Sequence, residues 1–166
     1  MKSKRVATYG IFIALAFLLS YIESMIPLPI PIPGIKLGLA NLVVLSGLYI
    51  MGAKDAFILS VIRIILVGFT FGSLSMMMFS LVGGILSWFL MALFSKIKIF
   101  SITGVSIIGG IAHNIGQILV AVWVVNNIML INYLPFLLLS GAITGTLIGI
   151  LGSILVSRIK KFEINK

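Results

Sequence analysis

The feature that most constrains this sequence is a run of 59 residues, positions 99–157, that contains no Asp, Glu, Lys or Arg. A soluble domain does not keep so long a segment uncharged, because about a quarter of the residues in soluble proteins are charged. The hydrocarbon core of a bilayer is about 30 Å thick and takes about 20 apolar residues of helix. The run therefore predicts two membrane-spanning helices joined by a short connection.

The whole chain repeats this character, with 61% hydrophobic and 9% charged residues. Its apolar runs are continuous rather than alternating, which favours helices over a barrel. The fold class predicted for residues 1–166 is a single all-α, polytopic membrane domain, with no room for a separate soluble catalytic domain. Charged residues divide the chain into six predicted transmembrane helices, at residues 6–26, 37–53, 56–71, 73–94, 102–125 and 133–156.

The basic residues predict how the helices are oriented. One end of the predicted bundle carries ten of them and the other carries Lys36, the ten being Lys2, Lys4, Arg5, Lys54, Lys96, Lys98, Arg158, Lys160, Lys161 and Lys166. Basic loops stay in the cytoplasm, so both termini are predicted to be cytoplasmic in a cell membrane. This topology also accounts for the net charge of +9, and no nucleic-acid partner is expected.

The first outward connection, residues 27–36, alternates prolines with aliphatic residues. Prolines cannot continue a helix and favour an extended strand. The segment is either a rigid connector or a lid over an outward-facing pocket. In the second interpretation the gate consists of Pro29, Pro31, Pro33 and Gly34.

Polar residues inside the predicted spans are the candidates for a binding site, because they are costly at membrane depth. Arg63 lies eight residues after Asp55, about 12 Å along the helix and near the bilayer midplane. It either binds an anionic ligand or is a structural group satisfied by neighbouring carbonyls and amides. His113, Asn114 and Gln117 form one polar stripe at helical spacing, also at mid-membrane depth.

Three further residues, Glu23, Asn41 and Lys36, are predicted near the outer side and complete an outward-opening substrate pocket. No metal site is expected, because one His, three acidic residues and no Cys supply too few ligands at workable spacing. No cofactor is expected either.

Small residues at fixed spacing predict close helix contacts. Gly141, Gly145 and Gly149 favour packing inside the bundle. The pair Gly10 and Ala14 on the first helix is interpreted either as internal packing or as a docking surface for a separate membrane subunit.

Several motifs resemble one family. They are Glu23, the segment PGIKLGLAN at 33–41, Arg63, SLVGG at 80–84, Ser106, and GIAHNIGQ at 110–117. Together they resemble the Gx transporter family, which is also labelled heptaprenyl diphosphate synthase component I. That family is in turn similar to the substrate-binding S-components of energy-coupling-factor transporters. The resemblance implies an S-component-like bundle in a bacterial inner membrane, a pocket capped by the loop after the first helix, and docking of a transmembrane coupling subunit with ATPase partners.

The predicted function is capture of a small metabolite from the outer side for uptake. One alternative is a non-catalytic membrane accessory subunit in polyprenyl diphosphate or quinone metabolism, and another is a stand-alone proton-coupled transporter. Enzymatic activity is not expected, because prenyl diphosphate synthases hold Mg²⁺ with paired Asp-rich clusters and this chain has one Asp. ATP hydrolysis is not expected because the chain has no phosphate-binding Gly-rich loop ending in Lys and Ser or Thr.

Overall fold

A computed structural model describes residues 2–26 and 38–164 of the chain. These residues form six α-helices and one short 3₁₀ helix, and no strand. In chain order they are α1 (Lys2–Met25), α2 (Leu39–Ile50), α3 (Ala53–Thr70), α4 (Leu74–Phe94), α5 (Ile102–Val125), the 3₁₀ helix (Ile128–Tyr133) and α6 (Leu134–Ile164). The prediction of an all-α protein is confirmed.

Four of these helices, α1, α4, α5 and α6, are long and apolar enough to cross a membrane. Helix α3 has 18 residues but carries Lys54, Asp55 and Arg63. Helix α2 is 12 residues, about 18 Å, and is shorter than the hydrocarbon core. The chain is therefore a helical membrane protein with several spans, whereas the full second span predicted at 37–53 reduces to a short helix in the described residues.

Backbone conformation explains where α2 begins and ends. Gly38 precedes it with a φ of 73°, and Gly52 follows it with a φ of 100°. Both values lie in the region that glycine adopts readily and other residues avoid. Two left-handed glycines thus limit a helix whose apolar sequence would otherwise continue.

The outer helices differ from the prediction at their ends. Helix α1 begins at Lys2 rather than residue 6, and α6 continues to Ile164 rather than 156. Both extensions carry the basic residues that were assigned to loops. Long basic side chains can stay in a helix while their charged heads reach water, so charge marks the membrane boundary better than it marks the end of a helix.

Helices α2 to α6 pack as a ring, in which each contacts the next and α6 returns to α2. Helix α5 makes its most extensive contacts with α6 and α4, and α1 packs on α2 and α3. The end of the bundle that holds the start of α3 and the end of α4 is filled by a hydrophobic core. Its buried members are Val44, Leu45, Leu48, Ala56, Met91, Val105 and Ile148.

Glycines allow α4 and α6, which lie on either side of α5, to approach α5 very closely. A Cβ on Gly83 of α4 would lie 2.7 Å from the His113 carbonyl oxygen, and a Cβ on Gly149 of α6 would lie 2.6 Å from the Thr103 Cα. A Cβ on Gly141 would meet the Gly110 carbonyl oxygen at 2.7 Å. The predicted packing role of the α6 glycines is confirmed: they form a seam inside the bundle.

Candidate ligand-binding cavity

A cavity of about 440 Å³ lies at the end of the bundle opposite the hydrophobic core. It is bounded by the end of α1, the start of α2, the second half of α3, the start of α4, and the middle of α5 and α6. Pockets for small organic ligands usually measure about 300 to 1,000 Å³. The volume of the cavity, and the hydrophobic core that fills the bundle beyond it, suit a compact metabolite.

Arg63 contributes a partly buried guanidinium to this cavity. One terminal nitrogen donates to the Asn41 side-chain oxygen at 3.4 Å, which is long for a hydrogen bond, and Nε is buried without a partner. A guanidinium has five N–H donors in a planar fork. Arg63 therefore has more donors than the hydrogen-bond partners that the described residues give it.

Glu23 lies on the α1 side of the same cavity. One of its carboxylate oxygens accepts a hydrogen bond from the Gly38 backbone N–H, which ties the end of α1 to the start of α2. Glu23 also attracts Arg63 electrostatically. No ion pair joins these two described side chains, and both line the cavity.

The polar stripe on α5 divides in the structure. His113 and Asn114 line the cavity, and Asn114 also donates to the Leu137 carbonyl oxygen of α6 at 2.6 Å. Gln117 is buried but does not line the cavity; its Cγ lies beside Gly83, and its Oε1 has no hydrogen-bond partner. The stripe is thus shared between the cavity and the α4–α5 contact.

Two chemically different walls enclose the cavity. The α3 and α4 side carries Arg63 and Ser80 but is otherwise apolar and adaptable, with Ile64, Val67, Phe71, Met76 and Met77. The α1, α2, α5 and α6 side presents Ser20, Glu23, Ser24, Asn41, His113, Asn114 and Thr144. Such an arrangement can hold a molecule that has one apolar and one polar face.

Five of the seven predicted substrate-binding residues therefore meet at one cavity: Glu23, Asn41, Arg63, His113 and Asn114. Gln117 lies elsewhere. Lys36 and the predicted gate residues Pro29, Pro31, Pro33 and Gly34 lie outside the described residues. What the cavity residues bind stays a prediction.

Four polar cavity residues were missed by the sequence interpretation: Ser20, Ser24, Ser80 and Thr144. On α1, Ser20 precedes Glu23 by three residues and precedes Ser24 by four, and this helical spacing was the available signal. Hydroxyls in apolar helices usually bond their own backbone, as Thr144 does to Ser140 at 2.9 Å. Sequence alone therefore gives weak grounds for assigning them to a site.

The opposite end of the bundle carries an ion pair. Arg5 donates to Asp55 with N–O distances of 2.7 and 3.0 Å, joining α1 to the start of α3. The Tyr9 hydroxyl lies near enough to Asp55 to lower the pKa of its carboxyl. This cluster is separated from the cavity by the core, and it has a role in holding α1 against the ring.

Gly10 and Ala14 lie on an exposed face of α1. A Cβ on Gly10 would meet nothing within 4 Å among the described atoms. Exposed neighbours extend this face along the helix, including Val6, Ile11 and Leu18. The pair takes no part in packing within the described bundle.

Together, the apolar helices and the buried polar cavity define a polytopic helical membrane protein with an internal ligand-sized chamber. The chain matches the family described as heptaprenyl diphosphate synthase component I over residues 12–155 and belongs to that family. This bears out the second label of the family that the sequence motifs resemble. Comparison with curated proteins and with solved structures finds no match.

Proposed function

We propose that this protein is a substrate-binding membrane subunit of the S-component type, which captures a small polar metabolite in the cavity for uptake. The observation that carries the proposal is Arg63, a partly buried cation that lines a cavity of about 440 Å³ and makes a single described hydrogen bond, the long one to Asn41. A charge at membrane depth is costly and is generally paired or functional. An anionic group of a ligand would complete its hydrogen bonds.

The proposal also assigns a direction. The ten basic residues near the other end indicate that the cavity end faces outward. The filled core below the cavity would then separate a bound molecule from the cytoplasm, so release would need a conformational change driven by a partner. Residues 27–36 would gate entry.

The test uses the molecule that remains bound after gentle extraction of the wild type, identified by mass spectrometry. Arg63→Lys keeps the charge and removes the planar fork. We expect this variant to retain much less of that molecule while its thermal unfolding temperature in detergent stays close to that of the wild type. Arg158→Lys is the matched control, because it makes the same exchange at an exposed position on α6.

Equal retention of the molecule by Arg63→Lys, together with a lower unfolding temperature, would contradict the proposal. Arg63 would then be a structural group.

A coupling subunit with ATPase partners is part of the same proposal. The exposed Gly10 and Ala14 surface would dock the transmembrane subunit through close helix contact. Gly10→Leu and Ala14→Leu should abolish co-purification with a larger membrane protein while ligand retention persists. Ser157→Leu, which adds a large side chain to an exposed site on α6, should not affect co-purification. Unchanged co-purification in both α1 variants would contradict this surface.

A second candidate function follows from the description of the family, which names a component of a prenyl diphosphate synthase. Under this alternative the protein would be a non-catalytic membrane partner of a synthase and the chamber would hold an isoprenoid. The polar wall is poorly suited to a long hydrocarbon tail. A prenyl lipid in the wild-type extract, with a synthase subunit co-purifying, would favour this alternative.

A further inference from the structure

The charges that face the cavity carry information about its ligand. We propose that the ligand is a compact molecule with one carboxylate and one basic nitrogen, held between Arg63 and Glu23, with an apolar part against α3 and α4. This inference rests on the proposed function, because it takes the cavity to be a ligand-binding site.

The geometry of Arg63 favours a carboxylate. Its two terminal nitrogens form one edge of the planar fork. A carboxylate accepts two parallel hydrogen bonds from such an edge. Asn41 accepts from a terminal nitrogen at 3.4 Å, a long bond that a ligand oxygen can replace or supplement.

Glu23 is the reason for proposing a basic nitrogen on the ligand. Only one of its oxygens is needed for the bond from Gly38, and the carboxylate accepts at both oxygens. A ligand with a basic nitrogen gives Glu23 a donor and a compensating charge. A ligand that brought only negative charge would be attracted by Arg63 and repelled by Glu23.

The charge balance of the cavity lining favours the same class of ligand, a molecule with one carboxylate and one basic nitrogen. Arg63 and Glu23 are the formally charged residues among the described lining, so their sum is zero with His113 neutral. A ligand with zero net charge preserves this balance in a region of low dielectric, where an uncompensated charge is costly. An isoprenoid diphosphate carries at least two negative charges against one arginine in the described lining, so the same balance disfavours it.

The apolar residues of the cavity wall indicate what the remaining part of the ligand is like. Met76 and Met77 are unbranched and adaptable, and Phe71 closes the wall beside them. The cavity of about 440 Å³ leaves room for a modest aliphatic or aromatic group. The ligand would therefore resemble a small amino acid or a similar zwitterion in its charge pattern.

The first test measures thermal unfolding of the wild type in detergent with matched sets of probes. Each set contains a proteinogenic amino acid, its analogue without the amino group, and its analogue without the carboxylate; leucine, 4-methylpentanoate and 3-methylbutylamine form one set. Isopentenyl diphosphate represents the phosphorylated class. In parallel, the molecule released by acid from the wild type is tested for retention on both cation and anion exchangers.

We expect stabilisation by a zwitterion, with affinity at least about tenfold weaker when either charged group is missing. Where the panel gives no stabilisation, we expect the released molecule to be retained on both exchangers. Stabilisation confined to the diphosphate, or a released molecule with one type of charge, would overturn the inference and leave the proposed function standing. No stabilisation together with no released molecule would overturn the proposed function itself.

Glu23→Gln separates a ligand contact from a structural role, because glutamine keeps an oxygen that can accept from the Gly38 N–H. The best zwitterion should bind at least about tenfold more weakly, whereas its analogue without the amino group should bind unchanged or more tightly. Lys96→Gln removes a charge at an exposed site at the other end and should change neither affinity. An equal loss for both molecules in Glu23→Gln would overturn the inference.

Discussion

At the scale of single residues, neighbouring polar side chains on α5 have different environments. Asn114 lines the cavity and is also bonded to Leu137, whereas Gln117 turns toward Gly83 and leaves its Oε1 unpartnered. The sequence places both in one stripe because they share a depth and adjoining helix faces. Which of them reaches the cavity depends on how closely α4 approaches α5, and side-chain periodicity does not determine that distance.

Replacing Gln117 by Met tests this division. Removing a buried polar group that lacks a partner and keeping a similar shape costs little or is stabilising. We expect the unfolding temperature of Gln117→Met to equal or exceed that of the wild type, with ligand retention unchanged. Asn114→Leu is the comparison, and it should lose about 0.5 to 1.5 kcal/mol of stability with the bond to Leu137. If Gln117→Met is as stable as the wild type but no longer retains the ligand, Gln117 belongs to the binding site.

Glycine substitutions test the close approach of α4 and α5. A Cβ at Gly116 would lie 2.7 Å from the Gly83 Cα, a backbone atom that cannot move aside cheaply. Gly116→Ala should therefore destabilise the protein by about 1 to 3 kcal/mol, the usual range for overpacking. Gly10→Ala is the control; it enters open space and exchanges glycine for a better helix former. Thermal or denaturant unfolding that ranks the two variants in the opposite order would contradict the packing described here.

At the scale of elements, α1 differs from the other helices. It packs on α2 and α3, and specific contacts hold both of its ends. Glu23 bonds Gly38 at the cavity end, and Arg5 pairs with Asp55 at the other end. Between them, Phe17 and Tyr21 meet Phe71 edge to face, with ring centroids 5.4 and 5.6 Å apart. These separate contacts hold α1 against the ring along its length.

The Asp55 contact should depend on pH. Asp55 precedes the apolar stretch of α3, and its pKa is lowered first by the Tyr9 hydrogen bond and then by Arg5, against the opposing effect of burial. A lowered carboxyl pKa stabilises the folded state above the unfolded value of about 3.9, and the stabilisation is lost as pH falls through the folded value. The wild type should thus lose stability below about pH 5. Asp55→Asn should show a smaller loss over that range, and identical pH profiles would contradict the assignment.

At the scale of the whole molecule, the sequence predicts the class of fold well, because uncharged length and basic ends are direct consequences of the bilayer. It also brings five polar residues to one cavity, since depth along a helix follows from residue count. It does not predict that α2 stops after 12 residues, because two glycines in left-handed conformations determine that. Nor does it predict the apolar wall, since Met76 and Met77 look like ordinary lipid-facing residues until α3 and α4 are packed.

The orientation of the whole bundle remains a prediction, and reporter fusions test it. Lys54 and Lys98 lie at the end that holds the Arg5–Asp55 pair, and Ile128 begins the 3₁₀ helix at the cavity end. Because ten basic residues gather near the first end, fusions after Lys54 and Lys98 should report the cytoplasm and a fusion after Ile128 the exterior. An exterior signal from the fusion after Lys98 would mean that the bundle has the opposite orientation in the membrane. The cavity would then face the cytoplasm, and capture from outside would be the wrong function for the same site.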